Sequence, residues 1–163
     1  MTTIIIFILV IGVVSTLVLD IWAQLQQKLA GVPAPDWGVA GRWVKGLTHG
    51  QWVLDADAGQ GPSSHDKTVG WLFHYGVGIV YAALLFVIGG SVFAVQPTLG
   101  PPIAVGLVLA TLAGLFIFLP GLGAGVAGSK LPDQKAAIMH MLVGHLIFAL
   151  AQYLTALTLS ALL

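Results

Sequence analysis

The sequence predicts an all-α fold, a polytopic four-helix transmembrane bundle with a short interfacial amphipathic helix in the first cytoplasmic loop. Three observations predict it. Of the 163 residues, 58% are hydrophobic and only 7% are charged, against roughly 25% charged in an ordinary soluble domain. Mean hydropathy is +0.98. The apolar residues also gather into runs long enough to cross a bilayer core, which takes about 20 residues. A soluble domain of 17.0 kDa lies too close to its own surface to bury such a composition. A disordered chain needs the opposite composition.

The elements follow in chain order. From Met1 to Leu19 the first run carries no charge, and it continues past Asp20 to about Leu25. It lacks the early basic residues and the small-x-small cleavage site of a signal peptide, so it reads as a retained span over residues 3–25. No Asp, Glu, Lys or Arg occurs between Val69 and Ser129, a length that holds two spans. The turn-forming cluster Gln96-Pro97-Thr98-Leu99-Gly100-Pro101-Pro102 divides them into 70–94 and 103–119, and Pro120-Gly121 stops the latter. A fourth span covers 136–162. The whole chain, 1–163, reads as one membrane domain with long loops at 30–68 and 121–135.

The first of those loops is too long for a mere connection. Within it Trp37, Ala40, Val44 and Leu47 recur at helical spacing, and Asp36 precedes them as a cap. That pattern predicts a helix lying in the headgroup plane. All six basic residues (Lys28, Arg42, Lys45, Lys67, Lys130, Lys135) and all five tryptophans fall on the side of these two loops. The excess of Lys and Arg makes that side cytoplasmic and leaves both termini outside.

Composition excludes several functions. Formal net charge is zero, so no basic excess tracks a phosphate backbone, and no nucleic-acid partner is expected beside the lipid bilayer. Without cysteine there is no disulfide, thiolate nucleophile or Cys-ligated metal. Without glutamate there is no Glu-rich di-iron site.

Helix faces that pack in lipid are marked by small and polar residues. Gly12, Thr16, Asp20 and Gln24 mark such a face on the first span, and Gly70, His74, Gly78 and Ala82 mark one on the second. The third has Gly106, Ala110 and Gly114, a stripe suited to a homodimer. The fourth has His140, Gly144, Phe148 and Gln152, with His145 and Ala149 on the adjoining row. An aspartate inside a span costs roughly 2.5–3.5 kcal/mol to insert, so it is normally paired or functional. His74-Tyr75-Gly76-Val77-Gly78 and His140-Met141-Leu142-Val143-Gly144 share H-x-x-V-G, a short echo that would set His74 opposite His140.

Three readings of this pattern compete. In the leading one the protein is not an enzyme. Asp20, His74, His140 and His145, with Arg42 and Gln152, line a polar cavity in the cytoplasmic half of the bundle. That cavity binds a small ligand or relays protons in solute transport, because Asp and His change charge with pH. No cofactor is needed for it. In the second reading His74 and His140, joined by Asp20, hold a metal ion, or the two histidines clamp a haem, in a redox protein. His140 and His145 cannot both reach one ion, being about 140° apart around a helix. In the third reading the chain is an accessory subunit and its polar residues serve helix packing alone.

The stretch from Pro120 to Lys130 is rich in glycine, and Gly123 to Gly128 literally satisfies G-x-G-x-x-G. It follows a transmembrane helix rather than a strand, so it is no dinucleotide fingerprint. Gly121, Gly123, Gly125 and Lys130 there either bind an anionic headgroup or form a flexible exit from the third span.

Taken together, Gly12, Ser15-Thr16, Asp20-Ile21-Trp22, Gly41-Arg42-Trp43, Gly70-Trp71, His74-Tyr75, Pro120-Gly121-Leu122-Gly123-Ala124-Gly125 and Gly144-His145 resemble domain-of-unknown-function family 2938. The resemblance runs from about Ile11 to Leu162. It implies a four-helix protein of the bacterial inner membrane, and it implies no reaction and no ligand. It points to Asp20, Arg42, His74 and His145 as the positions to test.

Overall fold

The computed structural model describes residues 2–55 and 61–162, so residues 56–60 of the long first loop lie outside it. Among the described residues the chain is helical, with no strand. Four helices are long and apolar enough to cross a membrane: α1 (Thr2–Ala30), α3 (Ser64–Gly89), α4 (Gly100–Gly121) and α5 (Gln134–Ser160). A shorter helix, α2 (Trp37–Leu47), stands in the first loop. The chain is thus a multi-pass membrane protein by helix length and composition.

Local chemistry sets the helix ends, and it moves several of the expected boundaries. Asp36 caps α2 by accepting a hydrogen bond from the Gly38 N–H at 2.8 Å, as its position predicts. α3 starts at Ser64, six residues before the expected start, because Ser63 and Asp66 form a reciprocal cap. Ser63 Oγ accepts from the Asp66 N–H at 3.2 Å, and Asp66 Oδ2 accepts from the Ser63 N–H at 2.8 Å. The same helix stops at Gly89. Gly90 takes φ +63, and Ser91–Ala94 then form a separate 3-10 turn rather than the end of the span. α4 begins at Gly100, with Pro101 and Pro102 in the first turn, where a missing N–H costs nothing. Asp133 caps α5 through the Ala136 N–H at 2.9 Å.

α4 is not a uniform α-helix. Two π-helical stretches, Ile103–Leu109 and Gly114–Phe118, flank the α-helical Ala110–Ala113. Pro120 follows the second stretch; it cannot donate to the carbonyl four residues earlier, and a widened preceding turn accommodates its ring.

The chain forms two compact units. The first comprises Met1–Ala34, Tyr75–Thr111 and Leu142–Leu163. Its apolar core holds Phe7, Ile11, Ala82, Leu85, Phe93 and Val105. Glycines let its helices approach. A methyl at Gly12 would stand 2.6 Å from the Ile79 Cα, and one at Gly78 would collide with Thr16 Oγ1. Ser15 and Thr16 are buried, and each donates to its own helix, to the Ile11 and Gly12 carbonyls at 2.6 and 2.7 Å.

The second unit comprises Pro35–His74 and Leu112–Met141. Here α2 lies backbone-to-backbone along the start of α3. A methyl at Gly41 would meet the Asp66 carbonyl, and one at Gly70 would meet the Trp37 carbonyl. Lys45 Nζ and Asp66 Oδ1 close the same contact with an ion pair at 2.8 Å. The face that α2 buries is therefore Gly38, Ala40, Gly41 and Trp43. Of the predicted stripe Trp37, Ala40, Val44 and Leu47, only Ala40 belongs to it, because glycines rather than large apolar side chains permit the approach. Trp43 is only 6% exposed. It packs on Phe73 and Phe118 and donates Nε1–H to the Trp52 carbonyl at 3.0 Å. This tryptophan serves packing rather than an interfacial belt.

Candidate functional site

The four ionisable residues expected to converge are each found in different company. Asp20 projects from α1, and the Tyr75 O–H on α3 donates to its Oδ2 at 3.0 Å. Both side chains are half-buried. His145 on α5 shares a 3.0 Å hydrogen bond with Thr111 Oγ1 on α4. These two pairs belong to the first unit. In the second unit, His74 is buried with its ring stacked on Trp37, centroids 3.7 Å apart and planes 18° from parallel. His140, also in that unit, is exposed. Arg42 on α2 is half-buried.

Among the described residues no three His or Asp side chains gather where they could hold an ion. A haem clamp needs two imidazoles aimed into one slot, whereas His74 lies against indole and His140 faces outward.

The glycine-rich turn after α4 is also accounted for. Gly121 lies against the Trp43 indole, where a side chain would not fit. Gly123 and Gly125 adopt φ +84 and +77, values that glycine reaches without strain. The N–H groups that an anion would require are largely engaged. Those of Gly123, Ala124 and Lys130 donate to the Pro120, Leu119 and Ala124 carbonyls at 2.9 Å each. The stretch is a hydrogen-bonded turn with the exposed Lys130 beside it.

Gln152 has an unusual position in α5. It is fully buried in the first unit, and neither its Oε1 nor its Nε2 has a hydrogen-bond partner. Each unpaired polar group of this kind costs about 1–3 kcal/mol. Its amide oxygen lies against Gly106 of α4, so closely that a methyl on that glycine would collide with it. Gly106, Ala110 and Gly114 are all buried within the chain.

A cavity of about 250 Å³ opens beside α1 and α5, lined by Val18, Ile147, Leu150, Ala151, Leu154 and Thr155. It contains no ionisable group.

The hydrogen-bonding partners Tyr75 and Thr111 do not stand out in the sequence, since neither is charged and Thr111 is a lone hydroxyl in an otherwise apolar run.

The family model described as a protein of unknown function, DUF2938, matches residues 9–159, nearly the whole chain. No curated protein and no solved structure matches.

Proposed function

We propose, for a chain that belongs to the DUF2938 family of unknown function, that it is a bacterial inner-membrane protein that takes up and releases protons at Asp20, coupling them to passage of a small solute. Both termini lie outside and the two long loops lie in the cytoplasm, in keeping with the distribution of Lys and Arg. One observation carries this reading. A carboxylate within a membrane-spanning helix is held at 3.0 Å by the phenol of a second helix. Ionisable groups at such positions are costly and mark ion and substrate pathways.

The pair has two useful states. When Asp20 is ionised, Oδ2 accepts the Tyr75 proton. When Asp20 is protonated, its carboxyl becomes a donor and the phenol oxygen can accept. Proton uptake thus reverses one interhelical hydrogen bond without breaking the contact. In the same unit His145 and Thr111 form a second interhelical hydrogen bond, between α5 and α4.

The test uses the purified protein in vesicles loaded with a pH-sensitive dye, under an imposed pH gradient with the potential clamped. Wild type should conduct protons above the level of empty vesicles. Asp20→Asn, checked for folding by circular dichroism, should fall to that level. Equal rates in wild type and empty vesicles, or an unchanged rate in Asp20→Asn, overturn the proposal.

A further inference from the structure

We infer that Gln152 and Gly106 form an internal hydration site, which holds a water molecule between α4 and α5 inside the membrane-spanning part of the chain. The inference stands apart from the role of Asp20. It begins from two observations that are independent of each other.

The first is the orphaned carboxamide. Gln152 is fully buried, and both its oxygen and its nitrogen lack partners. Buried polar groups in folded proteins are almost always satisfied, and where protein atoms do not satisfy them an ordered water does. A carboxamide presents two donors and one acceptor with two lone pairs, which a single water can engage as acceptor and donor in turn.

The second observation is the backbone it faces. Gly106 lies in the π-helical stretch Ile103–Leu109. π turns are rare, and they recur at functional sites. Where the hydrogen-bond register passes between π and α, a carbonyl is left without its N–H donor and remains available as an acceptor. The absent side chain of Gly106 lets the Gln152 carboxamide lie directly against the α4 backbone. Water therefore finds the two or more polar partners that it needs in an apolar interior.

The site also continues a polar seam. His145 and Gln152 are seven residues apart on α5, and so share a face two turns apart. Across from them on α4 stand Thr111, bonded to His145, and Gly106, against Gln152. A water at Gln152 gives this seam a second polar contact where otherwise only apolar packing with Ala149 exists.

Gln152-Tyr153 is the chain's single Gln-Tyr pair. Carbonyl-¹³C glutamine with ¹⁵N tyrosine therefore identifies Gln152 in the spectrum without any substitution, and uniform labelling links that signal to the side-chain amide. Solid-state NMR of the protein in hydrated phosphatidylcholine–phosphatidylglycerol bilayers then measures transfer of magnetisation from water to Gln152 Nε2. Transfer several-fold faster than to the buried Leu85 and Ala149 is the expected result. Transfer as slow as at those two residues shows a dry amide and overturns the inference. Gln152→Leu provides the second arm. It should abolish water transfer to the Gly106 amide that wild type shows, and persistence of that transfer in the folded variant would place the water elsewhere.

Discussion

Asp20 and Tyr75 show how a single hydrogen bond changes the meaning of a residue. From the sequence, Asp20 is a charge in an apolar helix grouped with three histidines, and Tyr75, which it meets in the fold, lies 55 residues away. In the folded chain its carboxylate oxygen is held across helices. A hydrogen bond to a charged group contributes about 1.5–3 kcal/mol. Tyr75→Phe should therefore lower thermal stability by an amount in that range. The loss should shrink in the Asp20→Asn background, where the acceptor is a neutral amide. A thermal-melt double-mutant cycle in detergent measures the coupling, and additive losses would show that the pair contributes nothing. His74 teaches the converse. Its ring is committed to Trp37, so Trp37→Ala should expose the imidazole. Hydrogen exchange at the start of α3 should then quicken, while Leu85 in the first unit stays protected.

At the scale of elements, glycine decides more than hydrophobicity does. Gly70 and Gly76 belong to one helix and are two turns apart, yet their environments are opposite. A methyl at Gly70 meets the Trp37 backbone carbonyl, which cannot move aside, whereas nothing lies within 4 Å of a methyl at Gly76. Gly76→Ala should raise stability by up to about 1 kcal/mol, the difference in helix propensity. Gly70→Ala should lower it by about 1–3 kcal/mol or prevent α2 from docking, as overpacking does. Chemical or thermal unfolding of the two variants side by side distinguishes these outcomes, and equal effects would refute the close approach. The same contrast explains what the sequence revealed. Four helices were legible because uninterrupted apolar runs have few other solutions, and the Asp36 cap because its side chain acts on the next turn. The contact of α2 with α3 was not legible. It depends on two glycines, 29 positions apart, meeting in space, and hydropathy assigns them no special weight. Nor were the π stretches of α4, since period 3.6 and a slightly wider turn accept the same apolar residues. The expected convergence of Asp20 with three histidines was inferred from position along each helix. The turn that brings a side chain to one face or another, as with exposed His140, was not determined by depth.

For the whole molecule, the orientation with termini outside has a direct test. The chain has no cysteine, so single cysteines can be introduced without background. Cysteine at His49, exposed beyond the end of α2, should react with a membrane-impermeant maleimide only when the cytoplasmic face is open. Cysteine at Leu162 should react in intact cells with the outer membrane permeabilised. The reverse pattern would invert the topology, leaving the four spans unchanged. Helix length has its own consequence for the surrounding lipid. α1 has 29 residues, about 44 Å at the α-helical rise, and α4 has 22, about 33 Å at most. Seven and five residues of α4 are π-helical, and a π turn packs more residues into each turn, so α4 is shorter still. A hydrocarbon layer of about 30 Å is thus matched by α4 nearly upright, while α1 must tilt or project into the headgroups. The shortest of the four spanning helices, through the widened turns that hold Gly106 and Gly114, sets the bilayer thickness at which this protein lies without mismatch.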